Sequence, residues 1–289
     1  MREAQGESVF RSASERRGRQ SPYADSSGAG EAAGEKVMVP ADAARRFPLE
    51  LLAPARDADV ARAAIDHGAD AVYIGGPGFG ARAAAGNSLD DLAQLAAWAK
   101  NYHARVYMTL NTVLFNEELA EAVRLAWQAY DAGVDALIIQ DMGLLTEELP
   151  PLEIHASTQC DIRTPKKAAF LDNLGFNQIV LARELTPEEI RRCREAMARA
   201  RIEFFVHGAL CVSYSGRCYL SCAETGRSAN RGACAQPCRL PYSVFDRDGR
   251  ELAHRKHVLS LMDNDQSGNL EALVDAGVTS FKIEGRLKD

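Results

Sequence analysis

Seven cysteines are spread unevenly along this chain. Cys160 and Cys193 stand alone, whereas Cys211, Cys218, Cys222, Cys234 and Cys238 fall within 28 residues. The spacing is Cys211-x6-Cys218-x3-Cys222-x11-Cys234-x3-Cys238. Thiolates bind soft and borderline metals, and four of them satisfy either tetrahedral zinc or an iron–sulfur cluster. The pairs Cys218/Cys222 and Cys234/Cys238 suit structural zinc. Cys211, Cys218, Cys234 and Cys238 suit a four-iron cluster instead. Spacing leaves both open. A group of buried free thiols is the bland alternative, and the scarcity of cysteine elsewhere weighs against it. The odd number of clustered thiols also weighs against complete disulfide pairing.

Such a loop does chemistry only where a scaffold holds it against a substrate. From Leu49 onward the chain alternates short apolar runs with helical stretches. The runs are LELLAP (49–54), AVYIG (71–75), RVYMTLN (105–111), ALIIQ (136–140), LEIHAS (152–157), QIVLA (178–182), EFFVHG (203–208) and SFKIEG (280–285). Between them lie SLDDLAQLAAWAKNY, NEELAEAVRLAWQAYDAG and TPEEIRRCREAMARA. The last opens with Thr186 as N-cap, Pro187 behind it and Glu189 three residues on, a capping-box start. Eight strands alternating with helices predict an α/β fold, an eight-stranded parallel (β/α)8 TIM-type barrel. An open doubly wound sheet ranks second, because GGPGFG (75–80) lacks the dinucleotide-binding glycine spacing. The cysteine cluster lies wholly within 209–279, a long insertion after the seventh strand. Active sites of such barrels lie at the C-terminal ends of the strands, so the loop is expected at the catalytic face.

Polar residues at strand ends complete the candidate site. Glu50, Asn111, His155, His207 and Glu284 are catalytic candidates, for proton transfer or positioning. Gln159, Arg231, Arg239 and Arg286 are candidates for substrate binding, since arginine clamps carboxylate and phosphate. Arg163, Arg183 and Arg227 also follow strands or lie in the loop.

The chain has 289 residues, 46% hydrophobic and 26% charged, with a net charge of −6. That composition is globular and gives no sign of a membrane-spanning segment. The acidic balance leaves RNA contact to local basic patches. Residues 1–46, rich in Arg, Ser, Gly, Ala and Glu without hydrophobic period, are expected to be a disordered extension, with 47–289 the barrel. No apolar signal segment opens the chain, and a cytoplasmic location is expected. A barrel of this kind normally closes with a helix after its eighth strand, so a longer protein is expected, its missing C-terminal region contributing to substrate binding.

EFFVHGALCVSYSGRCYLS (203–221) resembles the signature of the collagenase-like peptidases, family 32 of the unclassified (U-type) peptidases. Glu203, Phe205, Gly208, Ala209, Cys211, Gly216, Cys218 and Ser221 carry the pattern. LELLAPA, IHASTQ and FKIEGR also resemble family segments. GRSANRGACAQPCRLPY and the stretch from HVLSLMDND onward are most similar to a branch that hydroxylates a cytidine of 23S ribosomal RNA to 5-hydroxycytidine. Sister branches act on tRNA uridine or in ubiquinone hydroxylation. The resemblance implies a [4Fe–4S] cluster, prephenate as source of the hydroxyl group, ribosomal RNA or tRNA as substrate, and Cys211, Cys218, Cys234 and Cys238 as ligands. Cys222 is an extra thiol in that pattern. Two other functions compete. One is proteolysis, through a Cys211–His207 pair or through Ser213 or Ser215 with His207, although zinc-protease and nucleophile-elbow motifs are missing. The other is a non-catalytic scaffold stabilised by zinc.

Overall fold

The computed structural model describes residues 48–80 and 86–285. The disordered extension expected over 1–46, and Arg286, lie outside those residues. Eight parallel strands close into a barrel: β1 (Glu50–Ala55), β2 (Ala71–Gly75), β3 (Arg105–Leu110), β4 (Ala136–Ile139), β5 (Glu153–Ala156), β6 (Gln178–Val180), β7 (Arg201–Gly208) and β11 (Val278–Ile283). Each pairs in parallel with the next, and β11 lies between β7 and β1. All eight runs expected from the sequence are barrel strands.

The outer layer consists of α1 (Ala58–Asp66), α2 (Leu89–Ala99), α3 (Leu119–Asp131), α4 (Pro165–Asn173), α5 (Pro187–Glu195) and α7 (Leu270–Asp275). Side chains cap four of them at their first turns. Asp57 accepts from the Val60 amide, Thr164 from Lys167, and Ser88 and Thr186 form capping boxes with Asp91 and Glu189. Each such cap contributes on the order of 1 kcal/mol. Between β4 and β5 a 3-10 turn, Met142–Thr146, stands where a helix would.

Strand alternation divides the buried side chains into two cores. On β7, Ile202, Phe204 and Val206 join the apolar layer beneath the helices, while Glu203 and Phe205 point into the barrel. Leu52, Ala71, Tyr73, Tyr107, Ala136 and Ile138 form a separate apolar cluster inside it.

The long segment between β7 and β11 is not one uniform insertion. Its last part is ordinary barrel: β10 (Asn264–Asp265) pairs antiparallel with β7, and α7 follows. The inserted loop contains α6 (Leu220–Thr225) and a hairpin of β8 (Tyr242–Phe245) with β9 (Glu251–Lys256).

Candidate active site

The lower, N-terminal half of the barrel interior is a dense polar network, in which His155 Nδ1 and Gln178 Oε1 are buried without a hydrogen-bond partner among the described residues. Glu203 is fully buried and accepts from Lys282 Nζ at 2.6 Å and from Gln178 Nε2 at 2.6 Å. Glu50 accepts from Ser280 Oγ at 2.6 Å, from the Tyr107 hydroxyl and, at 3.4 Å, from Gln178. Burial and the neighbouring Glu50 push the Tyr107 hydroxyl far above its usual pKa, so it stays a donor. Glu153 meets Arg105 at 2.9 Å, Arg201, and His155 Nε2 at 3.2 Å. Burial would raise the Glu153 pKa, but the bonds from His155 and Arg105 and the charges of Arg201 and Arg105 hold it well below the carboxylate range. His155 is fully buried, edge-on to Tyr107 at 4.8 Å, and burial outweighs Glu153 in pulling its pKa down.

These contacts correct two sequence expectations. Glu50 and His155 are not at the catalytic face. Glu50 opens its strand, and His155 points into the barrel toward Glu153, so both belong to the packed lower layer.

At the upper, C-terminal end a small pocket opens. Tyr73, Phe205 and Lys282 form its floor, and Asn111, Ser157, Thr158, Gln159, Arg183 and Glu284 its rim. Asn111, Gln159 and Glu284 therefore lie where the sequence placed them. Asn111 Nδ2 donates to Ser157 Oγ at 3.1 Å. Gln159 occupies the 3-10 turn Thr158–Cys160 that follows β5. His207 is near the end of β7 as expected, but it is exposed, paired across to Asp265 of β10, and does not line the pocket.

Arg183 ties the pocket to the cysteine loop. Its Nη2 donates to Glu284 Oε2 at 2.7 Å, and Nη1 reaches the Ala209 carbonyl at 3.4 Å and Cys211 Sγ at 3.7 Å. The guanidinium lies 4.1 Å from the Phe205 ring centroid. Arg183 Nε and Thr158 Oγ1 are both buried and have no hydrogen-bond partner among the described residues. Groups of this kind normally find a partner, so the pocket offers polar capacity to a ligand. Arg183 stood out in the sequence only as an arginine after the sixth strand; its partners are 26 to 101 residues away.

Cys211, Cys218 and Cys234 lie close enough to Cys238 to act on its thiol. Burial raises the Cys238 pKa, Arg239 opposes that, and the three neighbouring thiols add to it. Cys222, exposed on α6, is not among them. The Gln236 amide donates to Cys234 Sγ at 3.4 Å. No three Cys, His, Asp or Glu side chains among the described residues converge closely enough for one metal ion. Cys160 and Cys193 are buried apart, and burial raises their thiols to about 12 and about 11.

The signature residues fit this loop to the barrel. Gly208 has φ +105°, and a Cβ there would come within 2.5 Å of the Glu284 carbonyl oxygen. Gly216, at φ +72°, seats the loop against Gln159, whose carbonyl oxygen a Cβ would meet at 2.0 Å. Only glycine allows both the positive φ and that approach. Ser221 is buried, and its Oγ accepts from the Ala235 amide at 2.8 Å, joining α6 to the Cys234 segment.

Two proposed substrate arginines are structural clamps instead. Arg231 makes a bidentate pair with Glu118, at 2.6 and 2.9 Å, donates to the Val113 carbonyl and lies over Phe115. The Arg231 bond drives the Glu118 pKa down to about 2. Arg239 donates to Ser260 Oγ and to the carbonyls of Leu261 and Leu210. Both guanidiniums are committed to holding the loop. Neither Ser213 nor Ser215 is set up as a nucleophile with His207: Ser213 Oγ donates to the Arg217 carbonyl, and Ser215 Oγ to Glu184.

A closed parallel barrel with a thiol-bearing loop over its C-terminal mouth defines a (β/α)8-barrel protein with its site built on the strand ends. Residues 56–289 match Peptidase family U32, and the chain belongs to that family. It is 63% identical over 241 residues to the 23S rRNA 5-hydroxycytidine C2501 synthase of Escherichia coli, covering 83% of this chain and 37% of that protein. It is 35% identical to tRNA hydroxylation protein P1 of Bacillus subtilis, over 83% of this chain and 59% of the relative. It is 37% identical to a collagenase of Porphyromonas gingivalis, over 83% of this chain and 61% of the relative. The chain thus spans between 37% and 61% of the length of these relatives. No helix among the described residues is long and apolar enough to cross a membrane.

Proposed function

We propose that this chain is the barrel of an RNA base hydroxylase, acting on a ribosomal RNA cytidine or a tRNA uridine and taking the hydroxyl group from prephenate. The observation that carries the reading is Arg183, which reaches both Glu284 in the mouth pocket and the Cys211 thiol. The thiol-bearing loop and a polar pocket thereby adjoin. The identity to the ribosomal RNA synthase supports the reaction class.

Cys211, Cys218, Cys234 and Cys238 would hold the [4Fe–4S] cluster, with the bonds from Arg183 and the Gln236 amide to the sulfurs tuning it. Zinc held by the same thiols is the alternative. When bound, the cluster supplies one-electron chemistry at the rim. The chain's own residues bind and orient. Asn111, Ser157 and Thr158 present hydroxyl and amide groups to the pocket, Arg183, already paired with Glu284, has its Nε left for a ligand, and Tyr73 and Phe205 give a planar ring its apolar floor.

A bacterial strain deleted for its own ribosomal RNA cytidine hydroxylase and carrying this chain tests the reading. Mass spectrometry of its 23S RNA is expected to show 5-hydroxycytidine restored by the chain and not by Cys234→Ser. Restoration by Cys234→Ser would remove the thiols from the reaction.

A further inference from the structure

Beside the mouth pocket runs a second, open groove of about 370 Å3, between α4 and the cysteine loop. Gln159 lines both, so groove and pocket adjoin at that residue. Two large aromatic side chains stand exposed in it: Tyr219 is 70% exposed and Phe170 56%. Isolated exposed apolar residues are ordinary, but these two face one groove among cations. Lys167 and Arg217 line it, and Arg163 adjoins, lying 3.9 Å from the ring centroid of the exposed Tyr214. Asp161 is the one carboxylate among the lining residues, and it is shared between Arg163 and Arg217. The first turn of α4 carries Lys166 and Lys167 and no acid. On a chain with net charge −6, this is a local excess of positive charge beside exposed rings. Rings that stack on bases, interleaved with cations that meet phosphates, are what single-stranded nucleic acid recognises.

We propose that this groove receives the unpaired RNA flanking the base held in the mouth pocket, with Tyr219 and Phe170 stacking on neighbouring bases and Lys167 and Arg217 meeting the phosphates. The proposal rests on the RNA-hydroxylase reading and adds where the strand lies. Gln159 stands between the base that enters the pocket and its neighbour. Gly216 fixes the wall that makes this possible, because it holds the loop against Gln159.

The test is fluorescence anisotropy with a labelled RNA hairpin whose loop is unpaired, using the full chain. Tyr219→Ala and Phe170→Ala are each expected to weaken binding about fivefold or more, and Tyr219→Trp to retain it. Lys167→Gln should lower the slope of log K against log salt by about one. Phe245→Ala, equally exposed on the β8–β9 hairpin outside the groove, should change nothing. All four positions are at the surface, and unchanged thermal melting checks that the variants fold. RNA held at wild-type affinity by both alanine variants would overturn the groove and leave the RNA reading standing. A chain that binds no RNA, but binds a labelled collagen peptide and loses it in the same variants, would overturn both.

Discussion

The two halves of the barrel interior are built from the same residue types and do different things. In the lower half Glu203, Glu50 and Glu153 are surrounded by Lys282, Gln178, Ser280, Tyr107, Arg105, Arg201 and His155. In the upper half Arg183, Glu284, Asn111 and Ser157 also bond one another, but they border a pocket and reach a thiol. A charge inside a barrel is therefore not catalytic by type. Its height along the strand decides whether its partners enclose it or leave it facing a ligand. Lys282 is the joint, paired downward with Glu203 and forming part of the pocket floor above.

That contrast predicts opposite signatures for substitutions in the two halves. The largest stability effect is expected from Glu203→Ala, which strands Lys282 without its buried counter-charge and should cost about 3–5 kcal/mol in denaturant unfolding. A loss below about 1 kcal/mol would mean that the lower network is not the barrel's structural floor. Arg183→Met should behave the other way. On the proposed function, hydroxylation is expected to fall on the order of 100-fold, the scale of a displaced positioning group, while stability drops by only about 1–3 kcal/mol. Equal losses of activity and of folded protein would erase the distinction between the halves.

The smallest effect is a pH dependence. His155 has a folded pKa below its ordinary 6.5, because burial disfavours the charged ring. The unfolded chain therefore binds the proton first, and stability falls as pH drops below about 6.5, by at most about 1.4 kcal/mol per pH unit for one group. Glu153 and Glu118 add their losses only at lower pH, since both pKa values are depressed from 4.5. Melting curves between pH 7 and 5 should show the slope in the wild type and a flatter line in His155→Gln. Identical slopes would take His155 out of the buried layer.

Much of this was legible in the residues. All eight barrel strands follow from short apolar runs, most of them rich in β-branched or aromatic residues, and the Thr186 capping box marks α5. Asn111, Gln159 and Glu284 sit at strand ends and reach the mouth. Glu50 and His155 were harder to place, because alternation reveals which side chains face inward but not how high. LEIHAS (152–157) reads as a strand with His155 near its end, and β5 does span Glu153–Ala156, but the His155 ring turns back toward Glu153 at its start. Arg231 and Arg239 were legible as forks without partners; Glu118 is 113 residues from Arg231. Arg183 is the converse, marked in the sequence only by its place after the sixth strand, and its importance comes from long-range contacts. The β8–β9 hairpin is marked by the Asp248-Gly249 turn pair, but its exposed strands lack the apolar alternation that would announce them.

On the proposed function, four of the five clustered thiols hold a redox centre beside the mouth pocket and Cys222 is spare. Iron, sulfide and zinc analysis of anaerobically purified wild type, Cys222→Ser and Cys234→Ser tests it most directly. About four iron and four sulfide per chain are expected in the wild type and in Cys222→Ser, with both lost in Cys234→Ser. A colourless protein holding one zinc per chain, or iron lost with Cys222, would contradict the claim.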